Sequence, residues 1–198
     1  MNAPLEPVDR EQASQFSSPW SAGERFRRIL WEFCWIFFCI WTPKPANPWR
    51  LFWLRVFDAR IDGIPFVHQR ARIAIPWKLT LHDRACLGDR ANAYSLGEIE
   101  IGARAVVAQE AYLSTGSHDF TRASCPLVVG KITIGEDAFV GARVFVMPGV
   151  TIGARAIIGA CSVVTHDVPN DVVAAGNPCR VLRPREMAPV DAPNEGAA

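Results

Sequence analysis

From Ile134 to Val164 the chain places an aliphatic residue at every sixth position: Ile134, Val140, Val146, Ile152, Ile158 and Val164. The second position of the block is Gly in four of the six cases, Gly135, Gly141, Gly153 and Gly159. The fifth is small or β-branched throughout: Ala138, Val144, Val150, Ala156, Ser162 and Val168. This period fits neither an α-helix nor a simple alternating strand; it is the pattern of a hexapeptide β-solenoid. Each block predicts a very short strand and a corner. The first side chain points into a prism, the fifth sits where space is tight, and the second-position Gly is expected to take a corner conformation that a Cβ would penalise. One coil cannot bury its own inner face, so coils must stack.

Upstream the pattern is looser. It begins near Ile73, with Ile75, Leu81 and Leu87 spaced by six and Ala85 and Ala91 behind them. The block opened by Ala93 is two residues too long, and the phase recovers at Ile101, Val107 and Leu113. Leu113 and Ile134 are then 21 apart, three more than a coil of 18, across the polar stretch STGSHDFTRASCP. An insertion cannot enter a solenoid core, so 118–127 is expected to protrude as a loop, where a stiff scaffold usually carries its chemistry.

Outside the solenoid, assigned to 63–168, four segments are expected. Residues 1–17 are polar and without period, the composition of a disordered terminus. Residues 18–62 form an aromatic-rich helical extension. Ser18 caps and Pro19 opens a helix running to about Trp41, and the prolines of Thr42–Pro48 break it. A second helix follows over Trp49–Ala59, with Trp49, Phe52, Trp53, Val56 and Phe57 on its apolar face. Such helices would cap the open end of the solenoid. Residues 169–186 form a C-terminal extension with a tight bend at Ala174–Pro178 and three arginines, Arg180, Arg183 and Arg185, and 187–198 a disordered tail.

Composition narrows the function. The 198 residues are 49% hydrophobic and 21% charged with a net charge of +1, which argues against nucleic acid as a partner. The six cysteines form no CxxC or Cys/His zinc spacing and read as reduced thiols of a cytosolic protein. The polar first twenty residues carry no secretory pattern. Ile29–Trp41 is shorter than the roughly 20 apolar residues of a spanning helix and is interrupted by Glu32. It reads either as a buried or intersubunit helix or as an interfacial one, with Arg25, Arg27 and Arg28 ahead of it and Trp31, Trp35 and Trp41 along it.

Among the four histidines, His118 falls in the expected loop. An imidazole titrating near neutrality suits a general base; the alternative is a surface loop histidine. His68 and His82 read as surface residues of irregular coils. No two histidines have the spacing of metal ligands, and no metal is expected.

The stretches YSLGEIEIGARAVVAQEAYLSTGSHDF, PLVVGKITIGEDAFVGARVFVMPGVTIGARAIIGACSVVTHDVP and VVAAGNPCRVLRPR resemble the hexapeptide-repeat acyltransferases. The likeness is to the galactoside/maltose acetyltransferase branch, and above all to the colanic acid biosynthesis acetyltransferases of exopolysaccharide operons. WTPKPANPWRLFWLRVFDARI shares it, so it covers about residues 42–185. The resemblance implies an all-β fold, a left-handed parallel β-helix, with the N-terminal helical and short C-terminal extensions. It implies acetyl-CoA as co-substrate and O-acetyl transfer to a sugar hydroxyl, with His118 as base. Ala142, Ala160, Thr165, His166, Arg180 and Arg183 match the CoA-binding positions, although the family usually has Lys where His166 stands. Asn92, Tyr94 and Gln109 match the acceptor region. A homotrimer with active sites between subunits is implied, acting on a nucleotide- or lipid-linked sugar in the cytoplasm or at the inner face of the membrane. A non-catalytic scaffold and a serine or N-acyl transferase of the same superfamily are the alternatives.

Overall fold

The structure is a computed structural model in which residues 4–8 and 18–186 are described. Its body is a three-faced prism of short, stacked strands, about six turns long. The first face is formed by Arg60–Ile61, Leu79–Leu81, Ile99–Ile101, Ile132–Ile134 and Thr151–Ile152. The second holds Phe66–Val67, Cys86–Leu87, Val106–Val107, Phe139–Val140, Ile157–Ile158 and Val172–Ala175. The third holds Arg72–Ile73, Asn92–Tyr94, Tyr112–Ser114, Phe145–Val146 and Val163–Val164. All of these strands pair in parallel with their neighbours above and below. The solenoid starts at Arg60–Ile61, ahead of the position read from the sequence. Ile73, not Ile75, stands in register with Ala93.

The six-residue openers from Ile134 to Val164 are all fully buried, and so are the fifth-position residues from Ala138 to Ser162. The second-position glycines behave differently from the expectation. Left-handed backbone falls instead on the fourth position, at Asp137, Arg143, Arg155 and Cys161, with φ between 55° and 60°. Each of these amides donates to a carbonyl of the coil before it: Asp137 to Ala103, Arg143 to Gln109, Arg155 to Glu136 and Cys161 to Ala142. The glycines are required by crowding between coils. A Cβ on Gly141 would lie 2.7 Å from the Ile158 carbonyl oxygen and 2.8 Å from the Ala160 nitrogen, a close backbone approach that only Gly permits. The left-handed residues also bring alternating charges into line along the edge between the first and second faces. There Arg104 pairs with Asp137 at 2.8 Å, and Arg155 pairs with Asp171.

Two helices cover the first coil. Helix α1 (Ala22–Phe38) starts one turn later than expected: Ser21, not Ser18, is its N-cap, in a capping box with Glu24. Helix α2 is Asn47–Val56. Its buried residues are Asn47, Arg50, Leu51 and Leu54, while Trp49, Phe52 and Val56 of the anticipated apolar face are exposed. The reason lies in the open strand edge beneath. The Trp31 and Trp35 indoles donate to the carbonyls of Ile73 (2.7 Å) and Ala71 (3.1 Å). Asn47 donates to Pro65 O and accepts from Val67 N, and the fully buried Arg50 donates to Val67 O, Pro43 O, Lys44 O and the Thr42 hydroxyl. Polar groups that satisfy exposed strand edges outrank apolar periodicity here.

The corner between the third and first faces is the irregular one. In the early coils Ile73 pairs with Ala93 and Ala93 with Leu113, a longer repeat than the late coil in which Val146 pairs with Val164. Leu113 pairs directly with Val146, so the insertion at this one corner amounts to most of an extra coil, far more than the few residues that the spacing suggests. It folds as a hairpin, Gly116–His118 antiparallel to Leu127–Val129. Glu6–Pro7 adds a third strand against Val128–Val129, although the composition of 1–17 predicts no structure there. At the other end of the prism, Arg180–Pro184 returns antiparallel along Val172–Ala175 after a bend at Gly176 (φ 106°). The 187–198 tail lies outside the described residues, as does most of 1–17.

Candidate active site

The hairpin is anchored by hydroxyls at its root. Thr115 Oγ1 donates to the Tyr94 carbonyl (2.6 Å) and accepts from Gly97 N (2.8 Å), tying the insertion to the coil before it. His118 stands at the end of the first hairpin strand and is exposed. Its Nδ1 lies 2.8 Å from the carbonyl oxygen of Cys125 across the hairpin. A carbonyl can only accept, so Nδ1 carries the proton and Nε2 presents its lone pair outward. Cys125 offers that carbonyl from a left-handed backbone, φ 42°. The adjacent Asp119 is turned away: its Oδ1 accepts from the Thr121 amide at 3.0 Å, and from the Thr121 hydroxyl, which holds its carboxyl below the usual range. Sequence could not single out Cys125, because the contact is made by its backbone.

The other anticipated site residues fall on three places. Gln109, Ala142 and Ala160 follow one another along the edge between the second and third faces, linked by Arg143 N to Gln109 O (3.1 Å) and Cys161 N to Ala142 O (2.9 Å). The amide N–H groups of Ala142 and Ala160 themselves have no acceptor among the described residues. Gln109 also lines an open depression of about 600 Å³ with Lys44, His68, Arg70, Asp89 and Phe139. Thr165 and His166 occupy the opposite edge of the third face, the hairpin's edge, two coils further on; Thr165 Oγ1 and His166 Nδ1 are 2.8 Å apart. Arg180 and Arg183 lie on the exposed antiparallel strand at the end of the second face. They donate to the backbone carbonyls of Cys179 and Pro184 respectively, and neither pairs with a described carboxylate. Arg104, Arg143 and Arg155 are all ion-paired, so the terminal strand carries guanidinium charge that the fold itself does not use.

Between the two edges lies the outer surface of the third face. Asn92 and Tyr94 belong to it, and so do two residues that sequence reading passes over, Tyr112 and Phe145. Tyr112 stacks on Phe145 (centroids 5.1 Å, 9° between planes) and lies 5.8 Å from Tyr94. Their outward position at the same point of successive blocks is visible in the repeat, and an aromatic there is the available signal.

The remaining histidines are structural. His68 is buried rather than on the surface: Arg70 N donates to its Nδ1 at 3.3 Å, and burial pushes its pKa down. Its Nδ1 also lies 3.2 Å from Asp89, whose carboxylate opposes that downward shift. His82 sits between Asp62 (2.8 Å) and Glu100 (3.1 Å). Among the described residues, no group of three His, Cys, Asp or Glu is placed to hold a metal.

Residues 131–166 match the bacterial transferase hexapeptide family, described as six repeats. The chain is 41% identical over 177 residues to "Putative colanic acid biosynthesis acetyltransferase WcaF" of Escherichia coli (strain K12), spanning 88% of this chain and 97% of that protein. A maltose O-acetyltransferase from Clostridium difficile 630 shares the fold with a TM-score of 0.71 and 26% identity, over 84% of this chain and 90% of its own. A hexapeptide-repeat acetyltransferase from Vibrio cholerae O1 biovar eltor, solved with acetyl coenzyme A, has a TM-score of 0.77 at 23% identity, over 86% and 93% of the two chains. With a stacked six-residue solenoid, a hairpin at its irregular corner and a relative matched nearly end to end, the chain belongs to the hexapeptide-repeat acetyltransferases.

Proposed function

We propose that this acetyltransferase moves an acetyl group from acetyl-CoA to a sugar hydroxyl in exopolysaccharide assembly, with His118 as general base. The observation that carries this reading is the 2.8 Å bond from His118 Nδ1 to Cys125 O, which fixes the tautomer whose Nε2 can take a proton. Nε2 accepts the proton of the acceptor hydroxyl as its oxygen attacks the thioester carbonyl. The C–O bond forms, the C–S bond breaks, and the imidazolium returns the proton to the departing CoA thiolate. The free N–H groups of Ala142 and Ala160 suit the amide-bearing pantetheine arm. Arg180 and Arg183 suit the nucleotide phosphates, for which guanidinium forks are matched in shape and charge. Thr165 and His166 stand on the hairpin's edge of the third face, where His166 occupies the position of the family's usual Lys.

In one chain, these groups stand on two edges separated by the third face. A homotrimer resolves the separation by setting one subunit's Ala142–Ala160 edge against the His118 edge of the next, with Asn92, Tyr94 and Gln109 contributing to the acceptor pocket. Light scattering should then give three times the 21.9 kDa chain mass; a monomer that turns over at full rate would refute this arrangement. The substrate assignment is tested by following acetyl-CoA consumption against nucleotide sugars and lipid-linked sugars, with amines and serine as competing acceptors. Turnover on a sugar hydroxyl that vanishes in His118→Ala is the expected result. Preference for an amine would move the enzyme to N-acyl transfer.

A further inference from the structure

The two helices that seal the first coil turn a second surface outward. On α1, Phe26, Ile29, Leu30, Phe33, Ile36, Phe37 and Phe38 are 44–67% exposed, Trp41 just beyond it is 83% exposed, and α2 adds Trp49, Phe52 and Val56 at 44–51%. The surface is continuous across the turn between the helices. The Trp49 indole donates to Phe38 O at 2.9 Å, and Phe38 stacks on Trp53 with centroids 5.2 Å apart. Isolated exposed apolar residues need no explanation, but a contiguous patch of this kind marks an interaction site. Among the described residues, α1 meets the prism through Trp31, Cys34 and Trp35 on its other side.

Charge decides what covers it. The exposed cations Arg25, Lys44 and Arg55 form no ion pair among the described residues, and Arg28 lies over the Trp20 ring. Of the acids, Glu24 is held in the capping box and Asp58 pairs with Arg27. Glu32 is left on the flank of α1, one helical turn from Arg28. An apolar, aromatic surface with a cationic rim complements an anionic lipid headgroup layer. A second copy packed on the same surface would bring like-charged rims together. The seventeen residues of α1 measure about 25 Å at 1.5 Å per residue, short of a hydrocarbon core of about 30 Å. No helix among the described residues is long and apolar enough to cross a membrane. A helix of this length and amphipathic character would meet a bilayer lying in the plane of its interface.

We infer that the α1–α2 cap is a docking surface for an anionic phospholipid bilayer, seating the solenoid end-on against the membrane. The test is sedimentation of the full chain with phosphatidylcholine vesicles, with and without phosphatidylglycerol, at low and high salt. Binding is expected with phosphatidylglycerol and should weaken in high salt. It should fall at least about tenfold in Phe26→Ser/Phe37→Ser/Trp41→Ser. Arg25→Glu/Arg55→Glu should lose the preference for phosphatidylglycerol. All five of these side chains are exposed, so both variants should keep the parent's circular dichroism, oligomeric mass and acetyl transfer to a soluble acceptor. Failure of the parent to bind anionic vesicles would overturn the inference. So would a serine variant that binds vesicles as the parent does but changes oligomeric mass, which would give the face to a second copy.

Discussion

The coils from Ile132 to Val168 and the hairpin from Gly116 to Val129 are neighbours built on opposite principles. In the coils every inward position is filled, the left-handed corner amides of Asp137, Arg143, Arg155 and Cys161 are each bonded to the coil before them, and charges alternate in sign along the edge between the first and second faces. The hairpin has no fully buried residue, and it is held by hydrogen bonds between short strands, Glu6–Pro7 among them, and by one imidazole bonded to a carbonyl. The repeat supplies rigidity but repeats the same side-chain direction in every coil. The proposed general base, His118, needs a place where the repetition fails, and the corner between the third and first faces is where this chain lets it fail.

The contrast is broken most severely by His118→Ala. Acetyl transfer should drop by about 10²–10⁴ while the melting temperature stays near that of the parent, because His118 is exposed. Retention of most turnover would move the base elsewhere.

Gly102→Ala should do the reverse. Its Cβ would lie 2.7 Å from Glu136 N, and crowding of this kind costs about 1–3 kcal/mol, read as a lower melting temperature with catalysis at low temperature preserved. A variant as stable as the parent would show that adjacent coils can separate.

Arg180→Ala/Arg183→Ala should raise the Kd for CoA about tenfold by calorimetry, with no loss of stability, since neither guanidinium pairs with a described carboxylate.

Acid should weaken the coils. Glu100 is held below the usual carboxylate range by hydrogen bonds from Lys131 and His82, Asp137 by Arg104, and Asp171 by Arg155. Their folded pKa values lie below the unfolded ones, so the unfolded chain binds more protons in acid. Stability should hold above about pH 4.5 and fall as the pH drops through the folded values; a melting temperature flat down to about pH 3 would contradict these pairings.

Smallest of all, Phe120→Ser at the hairpin tip, 80% exposed, should shift stability by less than about 0.5 kcal/mol. A larger loss by thermal melting would mean the hairpin is packed, not perched.

Much of this is readable in the residues. The six-residue period identifies the solenoid, its inward residues and the insertion that carries His118. The period also shows that Gly is needed at the second position, but left-handed backbone and close approach both select Gly. Only the fold separates them, giving the conformation to Asp137, Arg143, Arg155 and Cys161. The spacing understates the insertion because it carries a regular coil through a stretch where the pairing of Leu113 with Val146 closes a single corner. The apolar face of α2 is misassigned from sequence because periodicity ranks side chains by hydropathy. The strand edge under that helix needs donors, which Asn47 and Arg50 supply.

The sequence by itself determined the architecture, since a period of six leaves one way to bury every sixth side chain, and the repeat is local. Tertiary structure decided the chemistry and the surfaces. The tautomer of His118 depends on a backbone carbonyl seven residues away, and the lack of a carboxylate partner for Arg180 and Arg183 among the described residues depends on what folds near them. The helix face left outward depends on what the first coil required of the other side. These are relations between residues that no local pattern encodes, because they are set by where the chain returns in space.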